Sequence, residues 1–452
     1  MADRVIDALD AVRRGAAAGP VTQFDPAERE AILRARAAGI IFVAAAGNDA
    51  ANMELLAHYP ASYRLENVIS VANSTARDDA SISSNFGAGS VELFAPGTEI
   101  WSTWYTTATP YALRSGTSMA APHVAGALAL VKAQFPGDTY RQVINRVLGT
   151  VDPSTSFRGR VQTGGRLNLD RALRSTDNRP FNDDFARRSR LAGNNFSVRN
   201  VSTDATVENE PAIAGSNGSA SLWWEWTPTL TGVVRISTAG SAFDTLLGVF
   251  SGNSLEGLTP VAASDNDGGL TTSRLEFTAE AGTPYQIVVA GKNGGQGLVL
   301  LDIGAIAAND QFAAAQVLTG RTAVVESANA QATMEPGEPR ILGFTGGKSL
   351  WYRWTAPATG RFQVALRSDG IDPLLAVYTG SALNALALVG ASDNADTQTA
   401  GTTPSTTALV TIEAQAGVTY LIQTDGKATG GIPPTNAPFT LTLNDSLWQG
   451  LA

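Results

Sequence analysis

The sequence predicts a multidomain protein: part of an α/β domain built on a mostly parallel sheet, followed by two all-β sandwich domains. Three observations predict it. A continuous apolar run, Gly39-Ile40-Ile41-Phe42-Val43-Ala44-Ala45-Ala46-Gly47-Asn48, follows a helical pattern and looks like a parallel strand covered on both faces. After the polar linker Arg174 to Pro180, helical periodicity gives way to short alternating runs between Gly, Asn, Asp and Ser turns. Within that second half, Ser221-Leu222-Trp223-Trp224-Glu225-Trp226-Thr227 recurs 128 residues later as Ser349-Leu350-Trp351-Tyr352-Arg353-Trp354-Thr355.

Bulk properties narrow the classes. The 452 residues have room for two to four domains, and 44% hydrophobic with 16% charged residues fits a soluble, turn-rich globular chain. A net charge of −9 argues against nucleic acid as a partner, since phosphate binding needs a basic face. Without cysteine there is no disulfide framework, thiolate metal site or thiol nucleophile. The longest apolar stretch, Gly39 to Gly47, is too short to span a membrane. Met1-Ala2-Asp3-Arg4 carries acid where a signal peptide is basic, so the chain as written shows no export signal.

In order, 1–24 is an unassigned N-terminal segment with some helical spacing (Val5, Ile6, Leu9, Val12) and no chemistry. The partial α/β domain covers 25–176, the sandwiches 177–304 and 305–445, and a tail 446–452. Asp25-Pro26 reads as a helix start, with Ala31, Ile32, Ala35 and Ala38 on its apolar face and Gly39 closing it. Asn48 stands at the carboxyl end of the strand that follows, where α/β enzymes place ligands. It reads either as a turn residue or as a carboxamide that donates N–H to a developing oxyanion.

Gly116-Thr117-Ser118-Met119-Ala120-Ala121-Pro122-His123-Val124-Ala125-Gly126 opens with turn-forming residues and runs into an apolar helix, with Pro122 expected early enough for its missing N–H to be harmless. A Ser in a helix's first turn has unpaired N–H groups beside its hydroxyl, the arrangement that acyl transfer needs. Those eleven residues closely resemble the nucleophile motif of the subtilisin-like serine proteases. Ala45-Ala46-Gly47-Asn48, Tyr59-Pro60-Ala61-Ser62, Ser84-Asn85-Phe86-Gly87 and Phe94-Ala95-Pro96-Gly97 match that family in the same order, from about Asp25 to Leu173. The resemblance implies a polypeptide substrate, Ser118 as nucleophile, Asn48 as oxyanion donor, and Ala44, Ala45, Ala46, Gly47, Gly116 and Thr117 as the substrate-binding wall. It also implies secretion, and no cofactor in catalysis.

The base is the difficulty. Of the two histidines, His123 lies five residues past Ser118, about 140° away around the helix, and is expected to be a packing residue; His58 is a loop residue. The family's Asp and His segments would precede the oxyanion strand, and no Asp-Ser-Gly or His-Gly-Thr-His stretch occurs there. The chain therefore reads as a truncated endopeptidase without its triad Asp and His. The alternative is a secreted, non-catalytic adhesion protein whose two sandwiches bind an extracellular polymer or cell surface.

In the repeats, Trp223 and Trp226, and Trp351 and Trp354, are read as pairs sharing one face and anchoring a core, leaving Trp224 and Tyr352 as candidates for surface contact. The Trp-x-x-Trp-Thr, Asp-x-Leu-Leu and Ser-Asp-Asn stretches resemble the pre-peptidase C-terminal domain. Asp265 and Asp267, and Asp393 and Asp396, are closely spaced oxygen donors that suit either Asx turns or calcium.

Overall fold

The computed structural model describes residues 25–104, 110–329, 331–344, 346–368, 371–393, 407–427 and 438–445, so the readings made for 1–24 and 446–452 lie outside the described residues. The chain is mostly β with few helices, and its main division into two compact units falls at Gly304–Ala305.

Helix α1 (Pro26–Ala37) buries Ala31, Ile32 and Ala35, and Gly39 at φ 73° ends it; Ala38 is exposed beyond its last turn. Strand β1 (Phe42–Ala45) pairs in parallel with β2 (Val68–Ser74), whose seven residues are all buried. Next come β3 (Leu93–Pro96), a hairpin of β4 (Ile100–Thr103) and β5 (Tyr111–Arg114), α2 (Thr117–Gln134), α3 (Tyr140–Leu148), β6 (Asp152–Pro153), β7 (Gly165–Arg166) and α4 (Leu169–Arg174). The main sheet runs β1-β2-β3-β7-β6, parallel except for the edge pair β7–β6. Parallel neighbours need crossovers, and the helices supply the cover: Val124, Ala127, Leu128 and Val131 of α2 pack with Ile69, Val71, Leu93 and Ala95 of the sheet.

Pro122 departs from its expected place. It is the sixth residue of α2, beyond the four positions whose N–H groups are free anyway, so its ring removes a bond that Ser118 C=O would otherwise accept. Helix α3 begins on a capping box, Thr139 N–H donating to Gln142 Oε1 (2.9 Å) and Gln142 N–H to Thr139 Oγ1 (3.3 Å).

The rest of the first unit is a pair of sheets. Strands β8 (Ser189–Ala192), β9 (Phe196–Val201), β10 (Ser219–Thr227), β11 (Gly232–Ser237), β12 (Thr245–Ser251), β13 (Thr259–Ser264), β14 (Arg274–Ala279), β15 (Tyr285–Gly291) and β16 (Leu298–Ala305) form sheets ordered β13-β12-β15-β10-β8 and β14-β11-β16-β9. The second unit repeats this with β17 (Gln316–Leu318), β18 (Ala323–Ala328), β19 (Leu350–Thr355), β20 (Gly360–Arg367), β21 (Pro373–Thr379), β22 (Ala387–Ser392), β23 (Thr407–Ala414), β24 (Thr419–Gly426) and β25 (Pro438–Asp445). Its sheets are ordered β22-β21-β24-β19-β17 and β23-β20-β25-β18, the same topology strand for strand.

The tryptophans correct the sequence reading. Residues three apart in a strand lie on opposite faces, because side chains alternate with a period of two. Trp224 and Trp226 share the core between the two sheets with Val234, Ile236 and Ile287. Trp223 faces outward and is covered by Phe185, Ile213 and Phe250. Tyr352 and Trp354 share the corresponding core, and Trp351 lies under Phe312 and Ile341. All six rings are fully buried, so Trp224 and Tyr352 are not surface contacts. The covered second face explains why no polar alternation marks these strands.

Within the first unit, the sheet pair is joined to the α/β part by buried polar groups. Arg199 on β9 donates to the carbonyls of Tyr63 (2.6 Å) and Val68 (2.9 Å) and pairs with the Glu92 carboxylate. Glu92 also accepts from Ser70 N–H (2.6 Å) and Gln162 Nε2 (3.3 Å). The half-buried Glu54 carboxylate accepts from Gly89 N–H and the Ser90 hydroxyl, at 2.8 and 2.9 Å.

Candidate functional site

The carboxyl end of β1 and the N-terminus of α2 meet. Ser118 is the second residue of α2 and is exposed, and among the described residues its N–H has no hydrogen-bond partner. The residue before it anchors Asn48: Thr117 N–H donates to Asn48 Oδ1 at 2.9 Å, and Thr117 Oγ1 at 3.2 Å. Thr117 Oγ1 in turn accepts from Gly47 N–H at 3.1 Å. With Oδ1 held in this way, the amide's other end, Nδ2, is left to donate; it has no partner among the described residues. The α2 N-terminus thus receives a side-chain acceptor from the turn after β1, because Gly116 offers no side chain of its own.

The turn after β1 is clamped from beneath by Asn85, which is buried. Its Oδ1 accepts from Asp49 N–H and Ala51 N–H, both at 2.9 Å, and its Nδ2 donates to Ala46 C=O at 2.9 Å. Gly47 sits at φ 107°, and a Cβ there would fall 2.3 Å from Asn85 Nδ2, so only glycine fits. Replacing Asn85 by alanine leaves two N–H groups and a carbonyl without partners. The expected loss is about 2 kcal/mol of unfolding free energy, with faster hydrogen exchange at Asp49 and Ala51, both readable in a urea titration and by mass spectrometry.

The expected wall is only partly accessible. Ala44, Ala46, Gly47, Gly116 and Thr117 are buried and Ala45 is half-buried, so Thr117 holds Asn48 instead of presenting its hydroxyl to a ligand. What does open beside Ser118 is a cleft of about 370 Å³. Met119, Pro122 and His123 line it from α2, and the β4–β5 hairpin contributes Trp101, Trp104 and Arg114. Trp101 stacks on Tyr111 with centroids 6.5 Å apart and planes 7° from parallel, and the Arg114 guanidinium lies 4.3 Å over Trp104. The aromatic hairpin carried no signal in the sequence, and Asn85 stood out only within the family-like stretch Ser84 to Gly87 with no role attached, since both arrangements depend on which loops the fold brings together.

Neither histidine ring hydrogen-bonds to Ser118. His123 is exposed rather than packed, and its Nδ1 engages Met119 C=O at 2.8 Å. His58 lies against the turn that carries Asn48, its Cε1 3.1 Å from where a Cβ on Gly47 would be. Burial pulls the His58 pKa below its ordinary value, and Asp49 pulls it back up. Among the described residues no imidazole or carboxylate hydrogen-bonds to the Ser118 hydroxyl.

Three of the four acidic residues considered for calcium carry a cation of the chain itself. Asp265 is paired with Lys292 (2.5 Å), Asp267 with Arg274 (3.0 Å) and Asp393 with Lys427 (3.4 Å), while Asp396 lies outside the described residues. No helix among the described residues is long and apolar enough to cross a membrane.

Comparison with known proteins agrees with the α/β part. An extracellular serine proteinase of Thermus sp. (strain Rt41A) is 41% identical over 30% of this chain and 31% of its own length. Subtilisin DY of Bacillus licheniformis is 38% identical over 27% of this chain and 43% of its own, and subtilisin BL of Lederbergia lenta 35% over 32% and 50%. This chain therefore spans half or less of these relatives. Among solved structures, the prenylagaramide maturation protease PagA aligns at 25% identity over 38% of this chain and 66% of that one, with a TM-score of 0.30. The match to the subtilase family model covers residues 16–177, and that stretch of the chain is a subtilase-family domain.

Proposed function

We propose that residues 25–176 are the C-terminal part of a subtilisin-like endopeptidase domain and that Ser118 is its nucleophile. The supporting observation is the anchored carboxamide: Asn48 Oδ1 is tied to the N–H next to Ser118, which turns Nδ2 into a fixed donor beside an exposed hydroxyl. Attack of Ser118 Oγ on a peptide carbonyl would place the new oxyanion between Asn48 Nδ2 and the Ser118 N–H, both pre-oriented before charge develops. Ala45, half-open on the edge of the wall from Ala44 to Gly47, and Gly116 would flank the bound polypeptide. The proton must pass to a base outside the described residues, so acylation by this chain alone is slow.

On the same reading, 177–304 and 305–445 are β-sandwich domains of the pre-peptidase C-terminal kind, and the protein works outside the cell, where such sandwiches can hold it to a polymer or cell surface. Catalysis needs no cofactor. A calcium ion at Asp265 would have to displace Lys292, and titration calorimetry with calcium reads that directly.

The test is prolonged exposure of the protein to a fluorophosphonate probe, with the labelled residue mapped by peptide mass spectrometry. Ser118 is expected to carry the label, Ser118→Ala to lose it, and Asn48→Ala to slow it on the order of 10²-fold, the size of effect that removing one such donor has in subtilisin. An unlabelled Ser118 would instead leave the sandwiches, as a non-catalytic binding protein, to account for the function.

A further inference from the structure

A second cleft, of about 320 Å³, lies in the first unit where the segment after α4 passes the end of the α/β part. Its lining is rich in arginine: Arg158, Arg187, Arg188 and Arg190. In a chain of net charge −9 this is a local reversal of sign. Two carboxylates answer the four guanidinium groups. Arg187 pairs with Asp177 at 3.2 Å, and Arg188 and Arg190 share Glu225 at 2.8 and 3.4 Å. Arg158 is exposed and has no carboxylate partner among the described residues.

Arg188 adds a second, independent observation. Its side chain is only 12% exposed, its two terminal nitrogens donate to Glu225 (2.8 Å) and to Phe185 C=O (2.9 Å), and its Nε is enclosed without any hydrogen-bond partner. A buried donor left unpaired is unfavourable. Guanidinium groups from two chain segments, Arg158 on one and Arg187, Arg188 and Arg190 on the other, line the cleft, and a tetrahedral dianion can accept from more such donors than one carboxylate can.

We propose that this cleft binds a phosphate or sulfate dianion, either free or as the monoester group of a larger molecule. The site is independent of Ser118 and of the reading given to it above. Calorimetric titration of the full chain at constant ionic strength tests it, with inorganic phosphate in one arm and glycerol 2-phosphate in the other.

The expected result is saturable binding, one site per chain. Arg158→Ala and Arg190→Ala, together, should weaken it about tenfold or more, and Arg188→Lys should weaken it although the charge is kept, because the fork that holds Glu225 and the Phe185 carbonyl at the cleft is lost. Arg158 is exposed and unpaired, so its removal leaves the fold intact. Arg77→Ala, an exposed arginine elsewhere in the unit, should bind as the parent does. Tighter binding of inorganic phosphate marks a free ion as the ligand, and equal or tighter binding of the ester marks an esterified group. Absence of saturable heat in both arms overturns the proposal, as does an equal loss of affinity in Arg77→Ala, which would mean diffuse attraction and no site.

Discussion

Arg199→Ala is expected to destabilise the first unit by about 3–5 kcal/mol, because it leaves the Glu92 carboxylate buried without its cation. Both partners are almost wholly enclosed, at 8% and 4% exposure, so solvent cannot replace what is lost. The same guanidinium donates to two carbonyls of the α/β part: Val68, which would lose this donor as well, and Tyr63, which keeps the Leu65 N–H. Urea denaturation followed by tryptophan fluorescence measures the change. The double variant Arg199→Met with Glu92→Gln tells a charge effect from a packing one: with the buried charge gone, most of the loss should return. If Arg199→Ala unfolds at the parent's midpoint, the two parts of the unit do not depend on each other through this pair. A full loss in the double variant would place the effect in packing.

In the second unit, the stability of the sheet pair is expected to fall as pH rises. Glu338 is buried against Ser349, Trp351 and Gln423, and burial pushes its pKa up from 4.5 to about 7 although the hydroxyl and indole donors pull it down. A carboxyl whose folded pKa lies above its unfolded one contributes stability below the unfolded value. That contribution is lost as pH rises through the folded value, here between about 4.5 and 7. The shift corresponds to about 3 kcal/mol. Glu338→Gln keeps the shape without the charge, so it should match the parent near pH 4.5 and exceed it by up to that amount at pH 8. Hydrogen exchange at the amides of β19 and β24 in the intact chain localises the effect to this unit. Asp425, pushed up to about 6 by its own burial, carries the same sign, so Glu338→Gln flattens the profile only in part. Equal stability of parent and variant at both pH values would count against a strained carboxylate.

Both effects come from buried charge, and neither was visible in the sequence, where Glu92, Arg199 and Glu338 look like ordinary surface residues. The repeat itself was visible. Twin indoles make twin bonds, Trp223 Nε1 to Glu210 Oε1 at 2.9 Å and Trp351 Nε1 to Glu338 Oε1 at 2.8 Å, and the two sheet pairs share one strand order. The faces of the tryptophans do not follow from a spacing of three, because the alternation of the pleat puts such residues on opposite sides of a strand.

From the residues alone came the elements that local physics dictates: the parallel strand read from an unbroken apolar run, the helix ended by Gly39, the small-residue helix carrying Ser118, and the duplication of the second half. Each depends on neighbours a few positions apart or on a pattern repeated along the chain. Tertiary structure alone decided the rest. It turned Thr117 inward to hold Asn48, set Asn85 beneath the turn, raised the aromatic hairpin beside Ser118, and gathered four arginines around one cleft. Those arrangements join residues up to 69 positions apart, and the free energy of such contacts depends on distance and burial in the folded chain, which no local pattern encodes.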